Sequence, residues 1–90
     1  MTKFRKKPIV IEAVQFLGPA HIPKDGPIPD GTPSGVAWQH FGSHGRRFPI
    51  IETLDGVMDV RVGDWIITGA SLGERYPCKP GIFAANYEPL

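Results

Sequence analysis

The residues most able to do chemistry in this 90-residue chain are its cations and its flat rings. Lys3, Arg5, Lys6 and Lys7 precede the first apolar run, and Arg46 and Arg47 follow much later. Guanidinium forks match phosphate oxygens and lysine adds a point charge, so these side chains, brought together, would make an anion-binding patch. Trp38, Trp65, Tyr76 and Tyr87 offer faces on which a base could stack, a contact worth about 1–3 kcal/mol. Each group also has a plainer role. A basic arm can simply be a solvated, solubilising terminus, and a small domain needs large side chains to fill its core. Trp65 sits inside an apolar run and is expected, with Phe83, in that core. Trp38 stands beside polar Gln39 and His40 and is open to either role.

The other candidates are weaker. His40 and His44 are four apart, with His21 and Cys78 distant, and three such ligands could hold zinc. No Cys-x-x-Cys accompanies them, and no metal or other cofactor is expected. Cys78, between Pro77 and Lys79, could be a nucleophile if Arg75 or Lys79 lowered its thiol pKa. A lone cysteine is more often a small buried apolar group. Asp64 would be a general base if buried, but a carboxylate in a turn ordinarily accepts backbone hydrogens. Glu12 lies within an apolar strand and calls for a partner such as Arg61 or Arg75. No phosphate-cradling glycine loop and no metalloprotease pattern is present, and nothing assembles a nucleophile, a base and a stabiliser. The balance favours a non-enzymatic module.

The elements that would position these groups are short strands. Ile9–Phe16 has period-two spacing and branched residues, and both of its faces are largely apolar, which predicts a central strand. Residues 18–35 carry Pro19, Pro23, Pro27, Pro29 and Pro33 with Gly18, Gly26, Gly31 and Gly35. That density removes donors and fixes backbone angles, so a long surface loop is expected, pinned by Ile22 and Ile28. Strands are predicted at Val36–Phe41 and Phe48–Thr53, and Leu54-Asp55-Gly56 signals a hairpin. From Val57 to Val62, alternation predicts Met58, Val60 and Val62 inward. Gly63-Asp64 turns the chain into Trp65–Thr68, and residues 69–73 turn it again into Glu74–Tyr76. Pro77 reads as a break, Pro80 opens a short helical turn over Ile82–Ala85, and Asn86–Glu88 closes as a strand. The predicted fold is mainly β, a small barrel or sandwich of about five or six short antiparallel strands with one short helical turn near the C-terminus.

Bulk properties bound the rest. Ninety residues make one domain, and such a chain buries only about 60–65% of its unfolded surface, so a second copy would add stability. A hydrophobic fraction of 41% supports folding. The net charge of +1 argues against nucleic acid, and no stretch approaches the roughly 20 apolar residues of a membrane span. A single cysteine allows no intrachain disulfide and suits a reducing compartment.

Two blocks carry a family resemblance. Phe4-Arg5-Lys6-Lys7-Pro8-Ile9-Val10-Ile11-Glu12-Ala13-Val14-Gln15-Phe16 resembles the opening of many small proteins encoded by tailed bacteriophages. Val62-Gly63-Asp64-Trp65-Ile66-Ile67-Thr68-Gly69, then Gly73-Glu74-Arg75-Tyr76-Pro77-Cys78-Lys79-Pro80-Gly81-Ile82-Phe83 and Asn86-Tyr87-Glu88-Pro89, is similar to the same family's closing block. This block is related in style to modules named for a Pro-Gly-Asp-Tyr-Gly motif. Val62 stands where that motif has proline, and Gly81 where an acidic residue is common. The middle departs further, with the proline-glycine loop in place of a helix-like segment. The resemblance implies a phage origin and a host-cytoplasm location, and it implies no activity.

Together these features lead to an accessory module that binds a small anionic molecule such as a nucleotide. Its candidate site is Arg5, Lys6, Lys7, Trp38, His40, Arg46, Arg47 and Tyr76, and it is expected to act as a homo-oligomer. The alternative is a module that contacts a host or virion protein through the loop at 18–35.

Overall fold

A computed structural model of the chain describes residues 1–5, 9–40, 45–69 and 74–90. Lys6, Lys7, Phe41 and His44 therefore lie outside the described residues. Two antiparallel sheets make the fold, so it is mainly β as the sequence predicts. Sheet A holds β1 (Glu12–Gln15), β6 (Trp65–Thr68) and β7 (Arg75–Cys78) in the order β1-β6-β7. Sheet B is centred on β4 (Arg46–Thr53). One side of β4 pairs with β3 (Val36–His40), and β2 (Ile22–Pro23) and β5 (Gly56–Asp59) also pair with it. A short helix, α1 (Pro80–Asn86), ends the fold with Pro80 in its first turn.

The two sheets meet over Phe16, Ile51, Val60 and Ile66, with Val36 and Trp38 packed against this cluster. Phe16 and Ile66 come from the sheet A side, and Ile51 from the centre of sheet B. Phe16 also closes the β1–β6 ladder. Its N–H donates to the Asp64 carbonyl at 2.7 Å, and its own carbonyl accepts from Gly63 N–H at 2.7 Å.

Two of the strand prolines, Pro49 and Pro77, are tolerated for one reason. The N–H and C=O of a strand residue point to the same side, and that side alternates along the chain. The Pro49 carbonyl accepts from Val60 N–H, so its missing donor also faces that side of β4, in the gap between the β2 pairs at residues 46–47 and the β5 pairs at 50–53. Gly69 N–H donates to the Glu74 carbonyl, so odd-numbered β6 residues bond β7 and Ile66 does not. Pro77, opposite Ile66, thus turns its missing donor to the outer edge of the sheet, where proline is admissible. The predicted break at Pro77 is instead the interior of β7.

Several other expectations are corrected. β1 is an edge strand and shorter than predicted, with Val10 74% and Val14 57% exposed: Val14 shares the face of Phe16 but lies beyond the core cluster. In the 57–62 stretch only Val60 is buried, while Met58 is 45% and Val62 52% exposed. β5 pairs with residues 50–53 of β4, and although Ile51 opposite Met58 is buried, β5 lies at the rim of the core, so alternation alone does not put its side chains under a second layer. The 54–56 turn forms, yet only Gly56 adopts a positive φ, at 115°. Thr53 Oγ1 accepts from Asp55 N–H and donates to the Gly56 carbonyl, which fixes the remaining geometry without a left-handed aspartate. The proline-rich loop contains β2, and Ile22 is buried as expected, whereas Ile28 is exposed. Residues 87–90 form no strand, since Tyr87 is the C-cap of α1.

The buried carboxylate of Asp64, 3% exposed, ties these parts together. Its Oδ2 accepts from Arg61 N–H at 3.0 Å, and its Oδ1 lies 3.9 Å from Lys79 Nζ. Asp64→Ala should cost about 1–3 kcal/mol in urea unfolding, because a part-buried N–H loses its acceptor. Asp64→Asn keeps an acceptor oxygen and loses only an ion pair whose lysine is solvated, so it should cost less than half as much. Equal destabilisation by both variants would contradict this role.

Candidate functional site

The sequence-predicted site residues do not form one constellation. Trp38 and His40 sit two apart on β3, opposite Pro49 and Arg47 on β4, so Trp38, His40 and Arg47 share one face of sheet B. Arg46 is exposed on the other face, Arg5 is exposed in the N-terminal segment, and Tyr76 lies in sheet A. Lys6 and Lys7 fall outside the described residues.

Within the shared face, existing bonds account for the polar groups. Arg47 donates from Nε to the Pro23 carbonyl at 3.0 Å and from an Nη to the Gly26 carbonyl at 2.8 Å. Its guanidinium thereby pins the proline-rich loop onto β4. His40 Nε2 lies 3.2 Å from the Lys24 carbonyl. A carbonyl only accepts, so that nitrogen carries the proton and donates. Trp38 Nε1 donates to Thr32 Oγ1 at 3.3 Å, and its ring centroid is 5.9 Å from that of Phe16. Trp38 is thus half-buried packing, and these three residues anchor residues 22–32.

The more distinctive surface is the outer face of sheet A. Residues 65, 67, 76 and 78 share this face with residue 13, because they stand opposite one another in register. Trp65 was expected in the core with Phe83, but both are half-buried and stacked on each other at the surface. Their centroids are 4.4 Å apart and their planes 12° from parallel. Phe83 stacks in turn on Tyr87 at 5.1 Å. Tyr87 hydrogen-bonds Tyr76, which closes an aromatic ladder from β6 through α1 to β7. Beside it runs an apolar groove of about 700 Å³, whose walls include Ile9, Val10, Ile11, Trp65, Phe83 and Tyr87.

No family model, curated protein or solved structure matches the chain.

The remaining titratable candidates take structural positions. Asp64 is the turn carboxylate already described. Glu12 is exposed, which removes the need for a partner, and Lys79–Asp64 is the ion pair seen among the described residues. Cys78 is half-buried in β7 with its Sγ 3.7 Å from the Lys79 carbonyl. Among the described residues no group of three His, Cys, Asp or Glu side chains is placed to hold a metal ion, and no helix is long and apolar enough to cross a membrane. Sequence reasoning missed the groove, although aromatic residues at 65, 76, 83 and 87 flanking the apolar 9–11 run were a usable signal.

Tyr76 reports on the ladder. Burial, and then its hydrogen bond with Tyr87, pushes its hydroxyl up from 10.0 to about 12. The folded chain holds this proton more tightly than the unfolded chain does. The stability it contributes is whole below about pH 10 and is lost as pH rises toward 12. Urea midpoints taken at about pH 9.5 and 11.5 should fall in the wild type, and Tyr76→Phe should remove part of that fall. An unchanged pH dependence in Tyr76→Phe would show that the hydroxyl is not held as described.

Proposed function

We propose that the chain is a non-enzymatic, self-associating interaction module whose contact surface is the groove on the outer face of sheet A. One observation carries this: the molecule exposes far more surface than a compact domain of its mass. Its accessible area is 7113 Å², whereas a folded 9.9 kDa monomer exposes about 5,200 Å². Its radius of gyration is 15.4 Å, against about 12 Å for a compact 90-residue domain. That surplus is shared between the N-terminal segment, where Met1 and Phe4 are almost fully exposed, and the walls of the groove. Exposed Ile9 and Val10 lie in the walls of the groove, and Leu90 also lines it. These belong under a partner of the same apolar character, and a second copy supplies one. The resemblance to small tailed-phage proteins assigns such a module, on the same reading, to the host cytoplasm.

Sedimentation equilibrium should show a dimer or larger assembly at micromolar concentration. Val10→Asp, which alters an exposed side chain on the groove wall, should shift the assembly toward monomer without changing the far-ultraviolet circular dichroism. A wild-type chain that stays monomeric at several hundred micromolar would overturn self-association, and an unaltered Val10→Asp assembly would move the contact elsewhere.

A second function, capture of a small anion such as a nucleotide, is favoured by the open end of sheet B. The donors of His40 and Arg47 already hold loop carbonyls there, which leaves exposed Arg46 and Lys24 as the available cations. Calorimetric titration with nucleotides and cyclic dinucleotides should then give sub-millimolar affinity that Arg46→Ala weakens. No heat with a well-folded protein would remove this function.

A further inference from the structure

We infer that two copies join edge to edge through β1, antiparallel, so that sheet A continues across a twofold axis as one six-stranded sheet. This rests on the self-association proposed above and specifies its geometry.

The direction of the backbone groups carries the inference. Phe16 directs both its N–H and its C=O to the β6 side, where they bond Asp64 and Gly63. These directions alternate along a strand. Val14 and Glu12 therefore bond β6, through Ile66 and Thr68, while Ile11, Ala13 and Gln15 turn their N–H and C=O groups away from it. Among the described residues no strand pairs with that outward side. Natural edges are blunted by lysine, proline, bulges or inward-pointing charge. The opposite edge of the same sheet is blunted in this way, with Pro77 and Arg75 in β7, which also approaches β4. From residue 9 to residue 15 the β1 edge carries Glu12 as its one charge, and Val10 and Val14 are largely exposed.

The register follows from the same alternation. Across a twofold axis perpendicular to the sheet, opposed residues must share a face, so each residue meets one an even number of positions away. Centring the pair on Glu12 would oppose two carboxylates, and like charges directly opposite are destabilising. Centring it on Ala13 places Ala13 against the second copy's Ala13 and Ile11 against its Gln15. Every outward N–H and C=O of residues 11, 13 and 15 is then bonded, and Glu12 faces a valine. Because the axis preserves the faces of the sheet, the two grooves lie on the same side of it. Ile11 and Ala13, which line each groove, sit at the junction, so strand pairing and burial of the apolar lip use one continuous surface.

Ala13→Pro tests this directly. Ala13 stands opposite Ile67 without bonding β6, so proline there removes only the outward donor. Losing the central pair of bonds should raise the dimer dissociation constant by ~100-fold or more in sedimentation equilibrium. Amide hydrogen exchange on the unaltered protein gives a second measure that does not depend on the variant folding. The N–H groups of Ile11, Ala13 and Gln15 should become protected as protein concentration rises. A wild-type dimer in which those amides exchange freely, or a folded Ala13→Pro chain that dimerises as tightly as wild type, overturns the edge geometry and leaves self-association standing. A wild-type chain that is monomeric throughout overturns both.

Discussion

The buried Asp64 is the point at which three otherwise separate segments are held in register. Its carboxylate accepts the Arg61 N–H that tightens the 61–64 turn, its main-chain carbonyl accepts Phe16 N–H, and Lys79 approaches it from the start of α1. A carboxylate taken out of water is costly unless its oxygens are satisfied. That penalty makes the arrangement specific, because only a chain path bringing Arg61 N–H and Lys79 to one place satisfies it. Gly63 makes the turn possible with a φ of 98°, a conformation that residues with a side chain rarely adopt. Once the turn is set, Phe16 is drawn into the core and β6 starts with Trp65 on one face and Ile66 on the other. The aromatic ladder on the outer face thus depends on a polar group on the inner side of the same turn.

Much of the fold was legible in the sequence where local chemistry alone decides. Gly-Asp before an apolar run, Asp-Gly between two strands and Pro80 before Ile82 each constrain two or three residues, and all three features formed. Reasoning failed where the outcome depends on a second layer. The Val57–Val62 alternation marks a pleated strand but not whether a sheet covers it, and Met58 and Val62 stayed exposed. Ile9–Phe16 has two apolar faces, which two situations produce: a central strand, or an edge that still lacks its neighbour. The strand prolines misled for a related reason. Pro77 breaks a ladder only if its nitrogen faces a partner, and that parity is set by pairings elsewhere in the chain.

The candidate site was less legible, for a different reason. Cationic side chains far apart in sequence carry no record of what they will bond. Arg47 was available on paper for an anion, yet in the fold its guanidinium answers the carbonyls of Pro23 and Gly26. Those carbonyls need an answer because the loop is rich in proline and glycine. A segment with so few donors and side chains cannot build its own ladder, so it borrows donors from the body. His40, facing the Lys24 carbonyl, does the same. The composition of the loop thus predicts that nearby cations will be recruited to hold it, an inference available from sequence once donors and acceptors are counted together.

The same accounting bears on the outer surface. A sheet of three strands with a seven-residue helix over one face lacks enough second-layer area to cover its apolar side chains, and the described residues contain no further element to supply it. Two outcomes are physically open to such a sheet: it exposes an apolar lip to water at a cost proportional to area, or it borrows cover from another molecule. Backbone groups at β1 that no described strand pairs sharpen the choice, because an edge without proline, lysine or a bulge is open to an added strand. Most proteins suppress that reactivity, and this one suppresses it on β7 but not on β1. An edge left open on one side only, next to an apolar groove that shares its residues, is a directional feature. In the proposed edge pairing it would limit growth to a pair, since the blunted β7 edge would not propagate the sheet further.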